Sequence, residues 1–294
     1  MSESPLTLTN VSKYYGNVRG IHEVSMSLTK GEVFGFLGPN GAGKSTTIRT
    51  ILNFIFPTAG TISVFGYDSV QESRRVKEYV GYLAGDVSLY PHMTGNRFLS
   101  LMHNLRQTSN RSYTSQLADR LNVSLSTPIR NLSSGNKQKL AIIQALMHKP
   151  PLAIIDEPTR GLDPLMKHTF YDIVSDLQAE GVTFFVSSHD LSEVQKLCNR
   201  AAFIRNGSLI SIEDIQGSAQ HQFRRYTVTF ATPPDTSRIQ HLEGVTETHL
   251  DETRLTVTIQ GPVTEFLKEI SSQKPIDLDE QEVSLEDIFI QYYE

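Results

Sequence analysis

Nine residues, Gly38-Pro39-Asn40-Gly41-Ala42-Gly43-Lys44-Ser45-Thr46, bring together the three things a polyphosphate needs: free backbone amides, a cation and a hydroxyl. Their spacing is Gly-x-x-x-x-Gly-Lys-Ser. Glycines let successive N–H groups turn inward on phosphate oxygens, and a helix that follows presents its positive end to the same oxygens. Lys44 would supply a point charge to the β- and γ-phosphates, and the Ser45 hydroxyl a ligand for Mg2+. The apolar run Val33-Phe34-Gly35-Phe36-Leu37 before the loop and Thr46-Thr47-Ile48-Arg49-Thr50-Ile51-Leu52 after it read as strand and helix, the setting such a loop requires. The competing interpretation is a glycine-rich turn that binds nothing.

Further along, Leu152-Ala153-Ile154-Ile155 runs into Asp156-Glu157, an apolar strand ending in two carboxylates. Asp156 at its carboxyl end can hold Mg2+ through water, and Glu157 can polarise a water attacking the γ-phosphate; a solvated Asp-Glu-Pro turn is the alternative. His189 follows the buried strand expected over 182–188 and leaves the sheet at the same edge as Asp156. Leu132-Ser133-Ser134-Gly135-Asn136 opens a helix with free amides and hydroxyls, a second anion-binding helix start. Tyr14-Tyr15-Gly16 reads as a turn whose aromatic face could stack on a purine, or simply pack at a strand end.

The elements that must carry these groups alternate between strand and helix. Strands are expected over 6–11, 22–28, 61–66 and 80–83, the last ending at Ala84-Gly85-Asp86. A helical stretch over 94–120 places Phe98, Leu99, Met102 and Leu105 in a core. A helix over 165–180 and a hairpin over 201–210, turning at Asn206-Gly207, complete a first domain at residues 4–215. Cys198 reads as a helix residue. Beyond 216–219 the texture becomes that of a small α+β domain at 220–294. Its strands are expected over 226–230, 246–250 and 254–259 with Asp251-Glu252 as a turn, and its helices over 262–270 and 284–293.

The chain has 294 residues, 38% hydrophobic and 20% charged, with a net charge of -5, enough for two domains and against a protein built to hold nucleic acid. One cysteine excludes an intrachain disulfide. With no basic, apolar leader at Met1-Ser2-Glu3-Ser4-Pro5, this points to a reducing cytosol. No apolar run approaches the roughly 20 residues of a membrane-spanning helix, so a membrane role would come through a partner.

The order Gly-x-x-x-x-Gly-Lys-Ser, Leu-Ser-Ser-Gly-Asn, Asp-Glu, Gly-Leu-Asp and Ser-His resembles the nucleotide-binding subunit of ATP-binding cassette (ABC) transporters over about residues 4–215. The resemblance implies an α/β phosphate-loop ATPase core, a mixed sheet with flanking helices and a helical subdomain. It also implies a homodimer that sandwiches ATP and Mg2+ head to tail. On that pattern Tyr15 stacks on adenine, residues 38–46 hold the phosphates, and Ser45 and Asp156 serve the metal. Glu157 is the general base, His189 the switch histidine, and Lys44 acts with them; Ser133, Ser134 and Gly135 work from the second copy, and Asp163 lies at the seam. Two departures stand out. Ser134 and Asn136 replace the usual glycine and glutamine of the signature, and Asp86 stands where a glutamine normally contacts metal and water, so Asp86 is expected to substitute. The C-terminal tail, ending Ser-Leu-Glu-Asp-Ile-Phe, resembles that of subunits serving ABC-2 exporters. This implies a peripheral protein on the cytoplasmic face of a prokaryotic plasma membrane, driving export through a separate permease. The rival classes are a soluble ABC-type ATPase acting on ribosomes or DNA, which typically carries two cassettes or a long coiled coil, and an ATP-binding regulator.

Overall fold

The computed structural model describes residues 4–107, 110–215 and 223–282, in two compact units, Met1–Glu213 and Asp214–Glu294.

The first unit holds two sheets. Strands β1 (Thr7–Tyr15) and β2 (Val18–Ser27) form a hairpin, extended by β4 (Ala59–Val64) and β5 (Tyr67–Asp68) in the antiparallel order β2-β1-β4-β5. The turn is Gly16-Asn17, with Gly16 at φ 59°, so Tyr14 and Tyr15 are the last residues of a strand and not a turn. The second sheet contains β3 (Val33–Leu37), β6 (Val80–Leu83), β7 (Leu152–Asp156), β8 (Thr183–Ser188), β9 (Arg200–Arg205) and β10 (Ser208–Asp214). Its order is β10-β9-β3-β8-β7-β6, and β6, β7, β8, β3 and β9 run parallel, so their carboxyl ends share one edge. Every residue of β3, β7 and β8 is buried, which is why these strands read as continuous apolar runs. Phe185 anchors the core between Phe34 and Phe36, at ring separations of 6.2 and 5.3 Å.

Helix α1 (Lys44–Ile51) follows β3 directly, and α2 (Ser73–Tyr79) leads into β6. Between β6 and β7 lie α3 (Gly95–Arg106), α4 (Arg111–Arg120) and α5 (Ser134–Leu146), the helical subdomain. The expected single helical stretch is broken after α3, where Gln107 turns left-handed at φ 53° and Asn110 caps α4. Leu105 is 69% exposed and not core. The buried arc of α3 runs through Phe98, Leu99 and His103, and Arg106 lies on the carbonyl of Val80, which leaves Leu105 at the margin. Helices α6 (Pro164–Ala179) and α7 (Leu191–Leu197) return the chain to β8 and β9. Cys198 is buried one residue past α7, at its C-cap.

The second unit is an antiparallel sheet, β12 (Val245–Asp251), β13 (Arg254–Gln260), β11 (Phe223–Thr229) and β14 (Asp277–Glu282) in that order, with α8 (Thr264–Ser272) on one face. Tyr226, Val228, Leu255, Val257 and Ile259 pack against Phe266 and Ile270. The β12–β13 turn is Glu252-Thr253, one residue later than expected, with Asp251 paired to Arg254. Strand β14, Asp-Leu-Asp-Glu-Gln-Glu, was not expected from its composition. The helix expected over 284–293 lies outside the described residues.

Candidate active site

The parallel sheet delivers the chemistry to its carboxyl edge. Gly43 takes φ 111°, which only glycine adopts comfortably, and turns the chain from β3 into α1. A Cβ on Gly38 would strike the Ile204 carbonyl oxygen, so the loop can lie this close to β9 only with glycine there. Lys44 is 6% exposed, and its Nζ lies 2.7 Å from Gly38 O, 3.3 Å from Pro39 O and 3.3 Å from Glu157 Oε1.

Neighbouring strands hold the acids in register. Asp156 and Ser187 are paired residues of β7 and β8, and the Ser187 hydroxyl donates to Asp156 Oδ1 while the Ser45 hydroxyl donates to Oδ2 at 3.0 Å. Glu157 leaves the strand in a left-handed conformation, φ 50°. Its N–H faces Ser187 O and Oγ, each at 3.2 Å, and Gln138 donates to the carbonyls of Glu157 (3.4 Å) and Pro158 (2.9 Å). This backbone grip aims Glu157 Oε2 at His189 Nδ1, 2.6 Å away.

Lys44, Ser45, Asp156, Glu157 and His189 line a cleft of about 860 Å³ that also takes in Tyr15, Pro39, Asn40, Gly41, Thr46, Asp86 and Arg160. Tyr15, on the cleft's lining, is 47% exposed, with Lys13 Nζ 5.3 Å from its ring centre. Gly38 and Ala42, within the loop, are buried and do not line the cleft. Asp86 lies on the rim, and Arg160 Nη1 reaches its Oδ1 at 3.3 Å. Gly85 brings the backbone against Asp156, where a Cβ would lie 3.1 Å from Oδ2.

Ser133, Ser134, Gly135 and Asp163 are absent from this cleft's lining. Ser133 Oγ accepts from Asn136 N (3.3 Å) to cap α5, and Asp163 Oδ1 from Met166 N (3.0 Å) to cap α6. The two helix starts adjoin, since a Cβ on Gly135 would lie 2.8 Å from Gly161 O. Sequence reasoning missed Ser187, Gln138 and Arg160. Ser187 was findable, because it precedes His189 by two residues in the strand that had to pair with β7; Gln138 carried no such signal.

A glycine-rich cradle before α1, a buried lysine and a strand-end Asp-Glu pair on a parallel sheet define a phosphate-loop ATPase. A family model described as ABC transporter matches residues 21–160. The linearmycin resistance ATP-binding protein LnrL of Bacillus subtilis is 36% identical over 70% of this chain and 68% of its own. The ABC transporter ATP-binding protein YtrB of the same organism is 28% identical over 97% of both chains. A solved ATP-binding subunit of an ABC transporter superposes with a TM-score of 0.67 at 29% identity, over 72% of this chain and 90% of that one. The chain belongs to the ABC transporter family, as an ATP-binding, ATP-hydrolysing subunit.

Proposed function

We propose that this subunit drives export of a lipophilic solute, such as a drug or antimicrobial peptide, through a separate ABC-2-type permease at the cytoplasmic face of the plasma membrane. Support comes from LnrL, named for linearmycin resistance, and from relatives named as a probable multidrug transporter protein and a Nod factor export protein. Among the described residues no helix is long and apolar enough to cross a membrane, which accords with a membrane path supplied by a partner. Residues 4–215 form the motor domain in this reading, and 220–294 an accessory platform.

The observation that carries the mechanism is the carboxylate of Glu157 held between His189 and Lys44. Glu157 orients the attacking water and takes its proton, while His189 fixes the carboxylate. Lys44 moves its charge from loop carbonyls to the phosphates, and residues 38–46 wrap them with N–H groups. Tyr15 stacks on the adenine. The donor set fits Mg2+: Ser45 and Asp156 offer hard oxygens, and Asp156 is 4% exposed. Bound there, Mg2+ would offset the charge on the β- and γ-phosphate oxygens. Asp86 serves the same position from the rim, because Gly85 seats the chain beside Asp156. Two copies associate head to tail, and Ser133, Ser134, Gly135 and Asp163 of each complete the other's cleft. Their places outside their own cleft support this arrangement.

The test is ATP hydrolysis by the purified chain, wild type against Glu157→Gln, with oligomeric state followed as Mg-ATP is added. Turnover in wild type, with an inactive Glu157→Gln trapped as an ATP-bound dimer, is expected. Failure of Glu157→Gln to dimerise with ATP would remove the sandwich.

A further inference from the structure

We propose that Glu193 is a positioning residue for ATP hydrolysis: a buried carboxyl that holds Ser188, the residue before His189, and so fixes the contact of His189 with Glu157. The inference rests on the roles given above to Glu157 and His189.

Glu193 is the third residue of α7, behind the N-cap Asp190. A glutamate at that position ordinarily folds back in solvent onto the N-cap amide. Here the Asp190 N–H goes to Ser188 Oγ at 3.0 Å, and Glu193 turns inward to 2% exposure. Its Oε2 accepts the Ser188 hydroxyl at 2.5 Å, a length typical of a charge-assisted bond, while Oε1 is buried with no hydrogen-bond partner among the described residues. Ser188 is itself fully buried.

The partner belongs to a catalytic loop: Ser188 ends β8 and directly precedes His189, and its Oγ also receives the Asp190 N–H, so one hydroxyl joins Glu193 to both sides of the histidine. Glu193 is absent from the cleft lining and acts only through this neighbour. A buried carboxyl is costly, and a small apolar residue would fill this place in α7 without that cost. Burial, with the charges of Asp190 and Glu157, pushes Glu193 up to about 7 against the opposing bond from Ser188, and its charge is felt by Tyr171 on α6 and Cys198 at the end of α7. The bonding geometry therefore has to serve both a neutral and an ionised carboxyl, and an amide can reproduce the neutral one.

The experiment is steady-state ATP hydrolysis by Glu193→Ala, Glu193→Gln and Ser188→Ala in the full chain, or in the complex with its permease if turnover requires it, with unfolding midpoints measured alongside. Loosening the loop that bears His189 should lower kcat of Glu193→Ala about thirtyfold with KM for ATP within about threefold, because the phosphate loop is untouched. Glu193→Gln should recover kcat to within about threefold of wild type, since its amide keeps the bond to Ser188. If Glu193→Ala does not fold, Ser188→Ala tests the same tie from the other end and should lower kcat alone. Wild-type kcat in Glu193→Ala, or equal kcat losses in Glu193→Ala and Glu193→Gln, overturns the proposal, as does wild-type kcat in Ser188→Ala. Glu157→Gln is run in parallel: if it turns over normally, the reading of Glu157 fails; if it is inactive while Glu193→Ala is normal, only the role of Glu193 fails.

Discussion

His189 Nδ1 lies 2.6 Å from Glu157 Oε2, so the imidazole grips the one carboxylate oxygen that does not face Lys44. Glu157 is thereby held from both sides, with 17% of its side chain exposed to the cleft.

Glu157→Gln keeps the shape and removes the base. Its turnover should fall roughly 100- to 1000-fold, while ATP affinity changes little because the phosphate cradle remains. Phosphate release and equilibrium nucleotide binding measure the two quantities. Turnover within tenfold of wild type would take the base role away from Glu157.

Asp86 and Arg160 are both mostly exposed, so their 3.3 Å pair should contribute less than about 1 kcal/mol to stability. Its effect is expected on the metal. Asp86→Ala should raise the Mg2+ concentration needed for half-maximal hydrolysis, and Arg160→Ala, which frees the carboxylate, should lower it. Mg2+ titrations that superimpose for all three proteins would place Asp86 outside the metal's reach.

Much of this site was legible because it rests on local chemistry. The phosphate loop announces itself by spacing, and Asp156, Glu157 and His189 by standing where buried apolar strands stop. What stayed hidden depends on partners far along the chain. Gln138 meets the Glu157 carbonyl only once α5 packs beside β6, and Leu105, seven residues from buried Phe98, lies exposed in the last turn of α3. Strand β14 has four acidic residues in six and no strand signature of its own; pairing with β11, from which the Arg224 side chain reaches Glu280 at 3.8 Å, makes it a strand.

Two buried groups should tilt the pH dependence of stability in opposite directions. Glu193 is pushed up to about 7, so the folded state binds more protons than the unfolded one from about pH 4.5 to 7, and its contribution is lost as pH rises through that window. His148 is pushed down to about 4, by burial first and then by Arg106, so its contribution is lost as pH falls from about 6.5 to 4. Relative to wild type, Glu193→Gln should therefore gain stability on going from pH 5 to pH 7, and His148→Phe on going from pH 6.5 to pH 4, each by at most about 1.4 kcal/mol per pH unit. Denaturant unfolding at several pH values reads both slopes; parallel curves would refute them.

Gly81→Ala should destabilise the first unit by about 1–3 kcal/mol through overpacking. A Cβ there meets the Ala145 carbonyl oxygen and comes within 2.5 Å of Pro150 Cγ, and backbone cannot swing aside as a side chain would. An unchanged melting temperature would mean that α5 and β6 separate more easily than their packing indicates.

The left-handed backbone of Glu157 sets the residue that does the chemistry against the fold that carries it. At φ 50° a side-chain-bearing residue is strained by roughly 1–2 kcal/mol, and glycine there would relieve it. That relief is offset by the loss of the carboxylate from its contacts with buried Lys44 and with His189, since breaking a buried ion pair costs more than the strain. The contacts that aim the base are therefore also what hold its backbone in the strained turn.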